Sequence, residues 1–344
     1  MANRFEKVHR EPDPDHWEFE PEELSLPDRI PTQFLDDATQ SIVSENSSPD
    51  IPFRYSINPY RGCEHGCVYC YARPGHEYLG FNAGIDFETR IVVKREAPDL
   101  LRAWLKRKSY ECEAICFSGV TDCYQPVERT LRLTRQCLEV CAEANQPVTI
   151  ITKNALVVRD LDILAPMASR NLAHVSLSLT TLDAALCGEL EPRTSRPAAR
   201  LRAIRELSEA GIPVRVMTAP MIPGVNESEL PALLEAAAKA GAVWAGYTML
   251  RLPLSVRPVF LEWAERRFPL RYDRIVQGIT AVRDGAMNSA RFGERMRGTG
   301  PVADQIQQTF RVFARKHGLE RMLVPLDTSQ FLPPKPKTGQ LELF

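Results

Sequence analysis

The sequence has too few cysteines for a disulfide-stabilised protein and no apolar run long enough to cross a membrane. Its 9 cysteines in 344 residues are odd in number and widely spread, which excludes a disulfide framework. Residues 1–17 lack the apolar segment of a secretory signal, and no charge-free stretch approaches the ~20 residues of a membrane span. The net charge of −1 indicates no polyanionic partner. We therefore expect a cytoplasmic protein without a membrane partner, whose clustered cysteines bind metal or do chemistry.

The chain divides into three segments by composition. Residues 1–50 contain thirteen Asp or Glu against four Lys or Arg, and we predict an acidic, irregular N-terminal tail. Residues 51–250 alternate short β-branched segments with amphipathic ones, which predicts a parallel sheet with right-handed crossovers. Residues 251–344 are predicted to form a helical extension that ends in a Pro-rich tail. The expected fold class is α/β, a partial (β/α)6 TIM-like barrel, two units short of the closed eight.

The alternation predicts six strands and five intervening helices. The predicted strands are 55–59, 114–118, 148–152, 174–179, 214–218 and 243–249. The predicted helices are 98–106, 128–144, 159–169, 197–210 and 227–240, with further helices in 257–285 and 301–318.

The stretch NPYRGCEHGCVYCYAR at 58–73 places Cys63, Cys67 and Cys70 within eight positions. On a helix these cysteines would share one face, so a buried core stripe is one interpretation. Gly62 and Gly66 disfavour it, because a glycine costs about 1 kcal/mol in a helix interior. The glycines favour a loop whose backbone folds tightly around a bound group.

Two kinds of bound group suit this loop. A structural zinc ion would take the three cysteines together with His65 or His76. An iron-sulfur cluster ordinarily takes four thiolates, and no fourth cysteine stands at ligand spacing. With three thiolates, one iron of a cubane keeps an open position, as catalytic zinc does. We therefore predict a reactive [4Fe-4S] cluster, and a non-catalytic iron-sulfur or zinc-binding protein is the alternative.

The spacing C-x3-C-x2-C, with Tyr69 before the third cysteine, resembles the signature of the radical S-adenosylmethionine superfamily. Four longer strings resemble its spore photoproduct lyase-related, "DNA repair photolyase"-like branch: SINPYRGCEHGCVYCYAR, SGVTDCYQPVE, EPRTSRPAARLRAIRELSEAGIPV and MIPGVNE. The resemblance covers roughly residues 47–332. It implies the partial barrel, a [4Fe-4S] cluster, S-adenosylmethionine, and an external one-electron reductant of the flavodoxin or ferredoxin type.

The resemblance also implies a reaction. The amino and carboxylate groups of S-adenosylmethionine chelate the open iron, and one electron from the reduced cluster cleaves the cofactor to a radical that abstracts hydrogen from the substrate. The sequence does not name that substrate. A nucleic-acid lesion, a modified RNA base, a peptide and a small metabolite all stay open. DNA or RNA is favoured by the branch and by residues 266–321, where twelve Lys or Arg stand against five Asp or Glu.

Cofactor contacts are carried over position by position. Ser118 and Gly119 match the strand-end segment whose carbonyls hold the cofactor's ammonium, although a plain turn is the alternative. Glu191 and Arg193 suit a carboxylate or a ribose hydroxyl, although a surface ion pair explains them equally well. The MIPGVNE segment matches the backbone that packs on adenine, and its Asn226 is also a candidate helix cap. The cofactor-binding residues predicted in this way are Tyr69, Ser118, Gly119, Ser178, Glu191, Arg193, Ile222 and Gly224.

Two residues are predicted to return a hydrogen atom after the radical has acted. Cys123 follows the second predicted strand, and Tyr247 lies on the sixth, where we expect it to face the barrel interior. The alternative for Cys123 is inert packing, which is the usual role of a free cysteine.

Overall fold

The computed structural model describes residues 31–321 and 324–335. Its strands are β1 (Gln33–Asp36), β2 (Val43–Glu45), β3 (Tyr55–Ile57), β4 (Tyr60–Arg61), β5 (Arg90–Val93), β6 (Ile115–Phe117), β7 (Val148–Thr152), β8 (Ala173–Ser178), β9 (Val214–Met221) and β10 (Trp244–Met249). The main sheet has seven strands in the order β10-β9-β8-β7-β6-β3-β2. Its strands β3, β6, β7, β8, β9 and β10 are parallel to one another, and β2 is antiparallel to β3.

The helices are α1 (Pro74–Glu77), α2 (Asp86–Thr89), α3 (Ala97–Leu105), α4 (Glu128–Leu131), α5 (Leu133–Glu143), α6 (Leu161–Ser169), α7 (Ala184–Leu190), α8 (Pro197–Glu209), α9 (Leu230–Lys239), α10 (Val256–Arg267), α11 (Tyr272–Ala281), α12 (Glu294–Arg297) and α13 (Gly300–Lys316). The predicted fold class is therefore confirmed, with an open sheet and no closed barrel in the described residues. All six predicted strands are present. The predicted helix 128–144 is divided into α4 and α5, because Arg132 adopts a left-handed conformation with φ 52°.

The two faces of the main sheet differ in their surroundings. Side chains alternate along a strand, and the outward set packs with α3, α5, α6 and α9 in one buried core. This outward set includes Val148, Ile150, Val175, Leu177, Val214 and Val216. The inward set on β7, β9 and β10 is half-buried and includes Thr149, Ile151, Arg215, Met217 and Trp244. The sheet thus curves around an accessible lumen, as expected for a partial barrel.

The prediction of an irregular tail is wrong for residues 31–50. Strand β1 joins β5 and β4 in a second, three-stranded sheet, and β2 extends the main sheet. Ile42 is buried in the main core with 1% exposure. These segments are short and flanked by acidic and proline residues, so no periodicity marked them as strands. Residues 1–30 of the predicted tail lie outside the described residues.

The C-terminal extension packs directly against the cysteine loop. One buried cluster joins Val68 and Leu190 to Leu252 and Phe260 of the extension. Helix α13 packs along α9 and β10, and the extended segment near Leu332 hydrogen-bonds back to the end of α5. The domain boundary near residue 250 stays a prediction. No helix in the described part of the chain is both long and apolar enough to cross a bilayer.

Candidate functional site

The cysteine loop, residues 62–70, follows β4 and contains turns rather than regular helix. Cys63 and Cys67 are buried and Cys70 is half-buried. The three cysteines are close together, because Cys63 and Cys70 pack in one cluster with Phe87 and the Cys70 amide donates to the Cys67 carbonyl at 3.2 Å. The core-stripe interpretation is therefore wrong, and the structure brings the three predicted ligands together.

The two glycines of the loop are required by its geometry. Gly66 has φ 66°, and a Cβ there would lie 2.5 Å from the Glu88 carboxylate and 2.7 Å from the Arg193 guanidinium. Gly62 has φ 80°, and its Cβ would lie 3.0 Å from the carbonyl oxygen of Phe87. Both positions combine a left-handed backbone with close packing, which excludes larger residues.

A buried arginine holds the loop from inside. The guanidinium of Arg73 is fully buried and pairs with the Glu88 carboxylate at 2.6 Å. It also donates to the backbone carbonyls of Gly66, Cys67, Ala83 and Gly84. The sequence did not identify Arg73, because the residues next to it in the chain indicate neither its burial nor its hydrogen-bond partners.

The Arg193 side chain also serves the loop. Its guanidinium donates to the Glu64 carbonyl and pairs with Glu88 at 2.7 Å, while its amide donates to the His65 carbonyl. A buried carboxylate thus holds this guanidinium, and the predicted cofactor contact of Arg193 stays a prediction. The pairing of Arg193 with Glu88 depends on the fold, which brings together two residues 105 positions apart in the chain.

The segment after β6 braces the opposite side of the loop. The Gln125 side chain accepts from the Glu64 amide at 2.9 Å and donates to the Gly62 carbonyl at 3.2 Å. The Glu64 carboxylate accepts from the Val127 amide at 2.6 Å. These contacts tie the DCYQPVE segment to the cysteine loop.

Asp122 forms a buried polar pair with His65, which lies between the first two cysteines. The His65 Nδ1 lies 3.4 Å from the Asp122 carboxylate. That carboxylate also accepts from the Thr152 hydroxyl at 2.7 Å and the Lys153 amide at 2.8 Å. Burial opposes ionisation, but His65 and these hydrogen bonds lower the pKa of Asp122 to about 2.

Glu191 is the centre of a second buried network. Its carboxylate accepts from the Tyr69 hydroxyl and from Thr180 at 2.6 Å, and it pairs with the Arg200 guanidinium. Burial opposes ionisation, but Arg200, Lys153 and the two hydroxyls lower the pKa of Glu191 to about 2. Because Glu191 is fully buried, the surface ion-pair alternative is wrong. The structure thereby joins two predicted residues, Tyr69 and Glu191.

Two residues that sequence reasoning missed complete this network. Arg200 is buried, and besides Glu191 it donates to the Ser178 and Ser195 carbonyls. One sequence feature could have identified Arg200: it stands in the apolar stripe of α8, three and four positions before Ala203 and Ile204. Lys153 follows β7, and its ammonium lies 5.9 Å from the centre of the Tyr69 ring. Burial disfavours its charge, but Cys67 and Glu191 raise the pKa of Lys153.

Ser118 and Gly119 form the strand-end segment expected after β6. Ser118 has φ 78°, and its hydroxyl accepts from the Cys123 amide at 2.8 Å. The Gly119 carbonyl accepts from the hydroxyl of Tyr71, the residue after the cysteine loop, at 2.7 Å. Ser178 is buried on the inward face of β8, two positions before Thr180. Their cofactor contacts stay predictions.

The MIPGVNE segment follows the predicted sharp turn, with φ 81° at Gly224. The Asn226 side chain accepts from the buried Ile222 amide at 2.7 Å and donates to the Thr180 carbonyl at 2.8 Å. Asn226 makes no side-chain cap of the following helical turn. It instead holds the carboxyl ends of β8 and β9 together, which leaves the adenine contact of Ile222 and Gly224 a prediction.

The two predicted hydrogen donors lie away from the lumen. Cys123 is 1% exposed within the core, and its carbonyl accepts from Thr134 of α5 at 2.6 Å. Its hydrogen-return role stays a prediction. Tyr247 does not face the barrel interior as expected. It shares the outward core with Ala245, and its ring lies 4.9 Å from that of Phe310 on α13.

The cysteine loop fits an iron-sulfur cluster better than a single metal ion. In the described residues, no three His, Cys, Asp or Glu side chains are close enough to hold one ion. His65 is held by Asp122, and in the described residues neither His65 nor His76 forms a group of ligands for one ion with the cysteines. Thiolates of a cubane bind different iron atoms and therefore stand further apart than ligands of one ion. Three soft thiolates in a glycine-shaped loop suit the cluster.

Comparisons with known proteins agree with this arrangement. The chain is similar to an uncharacterised protein of Mycobacterium tuberculosis, 39% identical over 221 residues, which cover 64% of this chain and 65% of that protein. An uncharacterised protein of Methanocaldococcus jannaschii is 31% identical over 177 residues, 51% of this chain and 63% of that protein. The matched segments thus span just under two thirds of each relative's length.

Among solved structures, the fold is similar to spore photoproduct lyase complexed with a dinucleoside spore photoproduct. The TM-score is 0.55 at 16% identity, over 83% of this chain and 79% of that chain. A variant of the same lyase with bound S-adenosylmethionine and that dinucleoside also has a TM-score of 0.55, at 17% identity, over 83% of this chain and 78% of that chain.

The family model of the Radical SAM superfamily matches residues 57–237, which is more than half of the chain and includes the cysteine loop, Lys153 and Glu191. The chain therefore belongs to the radical S-adenosylmethionine superfamily, whose cofactors are a [4Fe-4S] cluster and S-adenosylmethionine.

Proposed function

We propose that this protein reductively cleaves S-adenosylmethionine and abstracts hydrogen from a substrate that enters the lumen. When bound, the cluster supplies an electron from an external reductant, and the cleaved cofactor supplies the radical. One observation carries the proposal. The cysteine loop, Glu191 and Lys153 converge at the carboxyl end of a partial barrel, where barrel active sites lie.

The chain's own residues have separate tasks in this proposal. Cys63, Cys67 and Cys70 hold the cluster, and the absence of a fourth thiolate leaves one iron open. The Lys153 ammonium is the cation that suits the cofactor's carboxylate. Glu191, ionised by its partners, orients Tyr69 and fixes the end of β8 through Thr180.

The test is cofactor cleavage by the reconstituted protein. Anaerobic reconstitution, dithionite reduction and addition of S-adenosylmethionine should give 5'-deoxyadenosine. Lys153→Met should raise the concentration of cofactor needed for half-maximal cleavage, whereas the exposed Arg274→Gln should not. A full iron complement without any 5'-deoxyadenosine would favour the non-catalytic iron-sulfur alternative.

We further propose that the substrate is carried by a polynucleotide. The observation that favours it is a surface of arginines and exposed aromatic rings beside the cysteine loop. Arg251 follows β10 and acts electrostatically on Tyr71 and Arg295. Tyr71 is 51% exposed and Phe292 is 60% exposed, and the Arg295 guanidinium lies 4.5 Å from the centre of the Phe292 ring. Stacking rings beside cations suit a nucleic-acid strand.

Of these cations, Arg251 is the one suited to contact phosphate. Arg295 is paired with the Asp50 carboxylate, and Arg297 lies 4.5 Å over the Tyr247 ring. Its Nη1 contacts the Met296 sulfur at 3.9 Å and its buried Nε has no partner, so in the described part of the chain no carboxylate pairs with the Arg251 guanidinium. Arg251→Gln should weaken binding of fluorescent single-stranded DNA and RNA and reduce the slope of log K against log salt by about one. Unchanged binding and slope would remove the polynucleotide proposal and leave cofactor cleavage untouched.

A further inference from the structure

In the described residues, one arginine of the barrel lumen has no counter-charge. Arg215 is the second residue of β9, on the inward face. In the described residues no carboxylate pairs with it, and its Nε–H has no acceptor. Burial lowers the pKa of Arg215, but a guanidinium stays protonated in proteins. A desolvated cation with unused donors favours binding of an anion.

The position of this guanidinium is fixed by an aromatic neighbour. Trp244 is the register partner of Arg215 on β10, and the guanidinium carbon lies 5.4 Å from the centre of the indole. A Cβ on Gly246 would lie 2.7 Å from the Trp244 ring and 3.0 Å from the Met217 sulfur. The indole therefore lies along the lumen wall over Gly246, and it positions Arg215 by cation-π stacking.

Among the residues that the structure describes, no second charged group acts on Arg215. His174 opens β8 on the same inward face, and burial together with the nearby Arg215 lowers the pKa of His174 to about 4. It is therefore neutral at pH 7, while the Ser176 hydroxyl lies on the register partner of Arg215. In the described residues, the lumen wall around Arg215 therefore carries one cation, Arg215 itself, and neutral polar groups.

Arg215 lies nearer the amino ends of the strands than Ser178, which is a predicted cofactor-binding residue. Ser176 pairs with Arg215, and Ser178 lies two residues nearer the carboxyl end of β8. At a strand rise of about 3.3 Å per residue, the separation along the strand is about 7 Å. A substrate held by Arg215 can therefore extend to the level where the proposed hydrogen abstraction occurs.

We propose that Arg215, positioned by Trp244, binds an oxyanion of the substrate, a phosphate or a carboxylate, inside the barrel lumen. The place of this group in a reaction rests on the proposed function. Binding of the anion does not require cofactor cleavage, so the two ideas can fail separately.

The experiment measures anion binding by the reconstituted protein with two probes, inorganic phosphate by 31P NMR relaxation and 13C-labelled acetate by 13C NMR relaxation. The wild type should bind one of them saturably, and the probe that binds identifies the source of the oxyanion. Arg215→Gln should weaken that binding about 10- to 100-fold, because a charge-assisted hydrogen bond contributes about 1.5–3 kcal/mol. Arg215→Lys should give an intermediate loss.

Arg274→Gln is the matched control, since it removes an exposed arginine from α11, and it should leave the affinity unchanged. Urea unfolding of each variant shows whether it is folded. If Arg215→Gln does not fold, the comparison uses Arg215→Lys. The proposal is overturned if neither probe saturates the wild type, or if the folded Arg215 variant binds as the wild type does. Production of 5'-deoxyadenosine with either result leaves the proposed function standing.

Discussion

Arg73→Met tests the physical account of the cysteine loop most directly. The substitution keeps a long apolar stem and removes the buried guanidinium that holds the loop. Six hydrogen bonds are lost, five of them to backbone carbonyls and one to the Glu88 carboxylate at 2.6 Å. Glu88 keeps its pair with Arg193 at 2.7 Å, so its charge is not left wholly uncompensated.

The size of the effect follows from these partners. Removing one member of a buried ion pair costs about 3–5 kcal/mol, and the remaining pair with Arg193 places the expected loss near the lower limit. Arg73→Met should therefore destabilise the protein by about 3 kcal/mol. Because the lost bonds include those to the carbonyls of Cys67, the second predicted ligand, and of Gly66 before it, the iron content should fall as well.

Two measurements check this expectation, urea unfolding of the metal-free protein and iron per chain after reconstitution. Arg73→Lys keeps the charge without the forked donors and should lose less stability. If Arg73→Met changes the stability by less than about 0.5 kcal/mol and keeps its iron, the buried guanidinium does not hold the loop.

Three further predictions concern the same region. Gly66→Ala should reduce iron binding, since its Cβ would lie 2.5 Å from a carboxylate oxygen, whereas Gly75→Ala, with nothing within 4 Å, should bind iron normally. Replacing any one of the three loop cysteines by alanine should remove most of the iron, while Cys137→Ala, in the core of α5, should not; equal loss in all would indicate general unfolding. Because the pKa of Asp122 is lowered to about 2, its ionised carboxylate stabilises the metal-free protein by about 2–3 kcal/mol above pH 4, and this stabilisation is lost as the pH falls towards 2. The Asp122→Asn protein should lack this part of the pH dependence of urea unfolding. The same pH dependence in both proteins would contradict the assignment.

Local sequence patterns were sufficient to predict the barrel and to find the loop that holds the three clustered cysteines, whose role as metal ligands stays a prediction. The six strands and five crossover helices follow from hydrophobic periodicity, which depends on residues close together in the chain. Cys63, Cys67 and Cys70 lie within one loop, and their chemistry depends on spacing alone. Tyr69 was singled out by the family resemblance, its contact with Glu191 comes from the fold, and its cofactor contact stays a prediction.

The sequence by itself therefore determined the alternation of strands and helices and the three-thiolate loop, because both are short-range features. Only the tertiary structure decided which partner each charged side chain takes. Glu191 pairs with Arg200 rather than Arg193, and Arg73 turns inward to Glu88. Whether a strand residue faces the lumen also depends on sheet curvature and helix packing, which is why Tyr247 lies outside the lumen and Arg215 lies within it. These decisions depend on contacts between distant segments, and the fold alone brings such segments together.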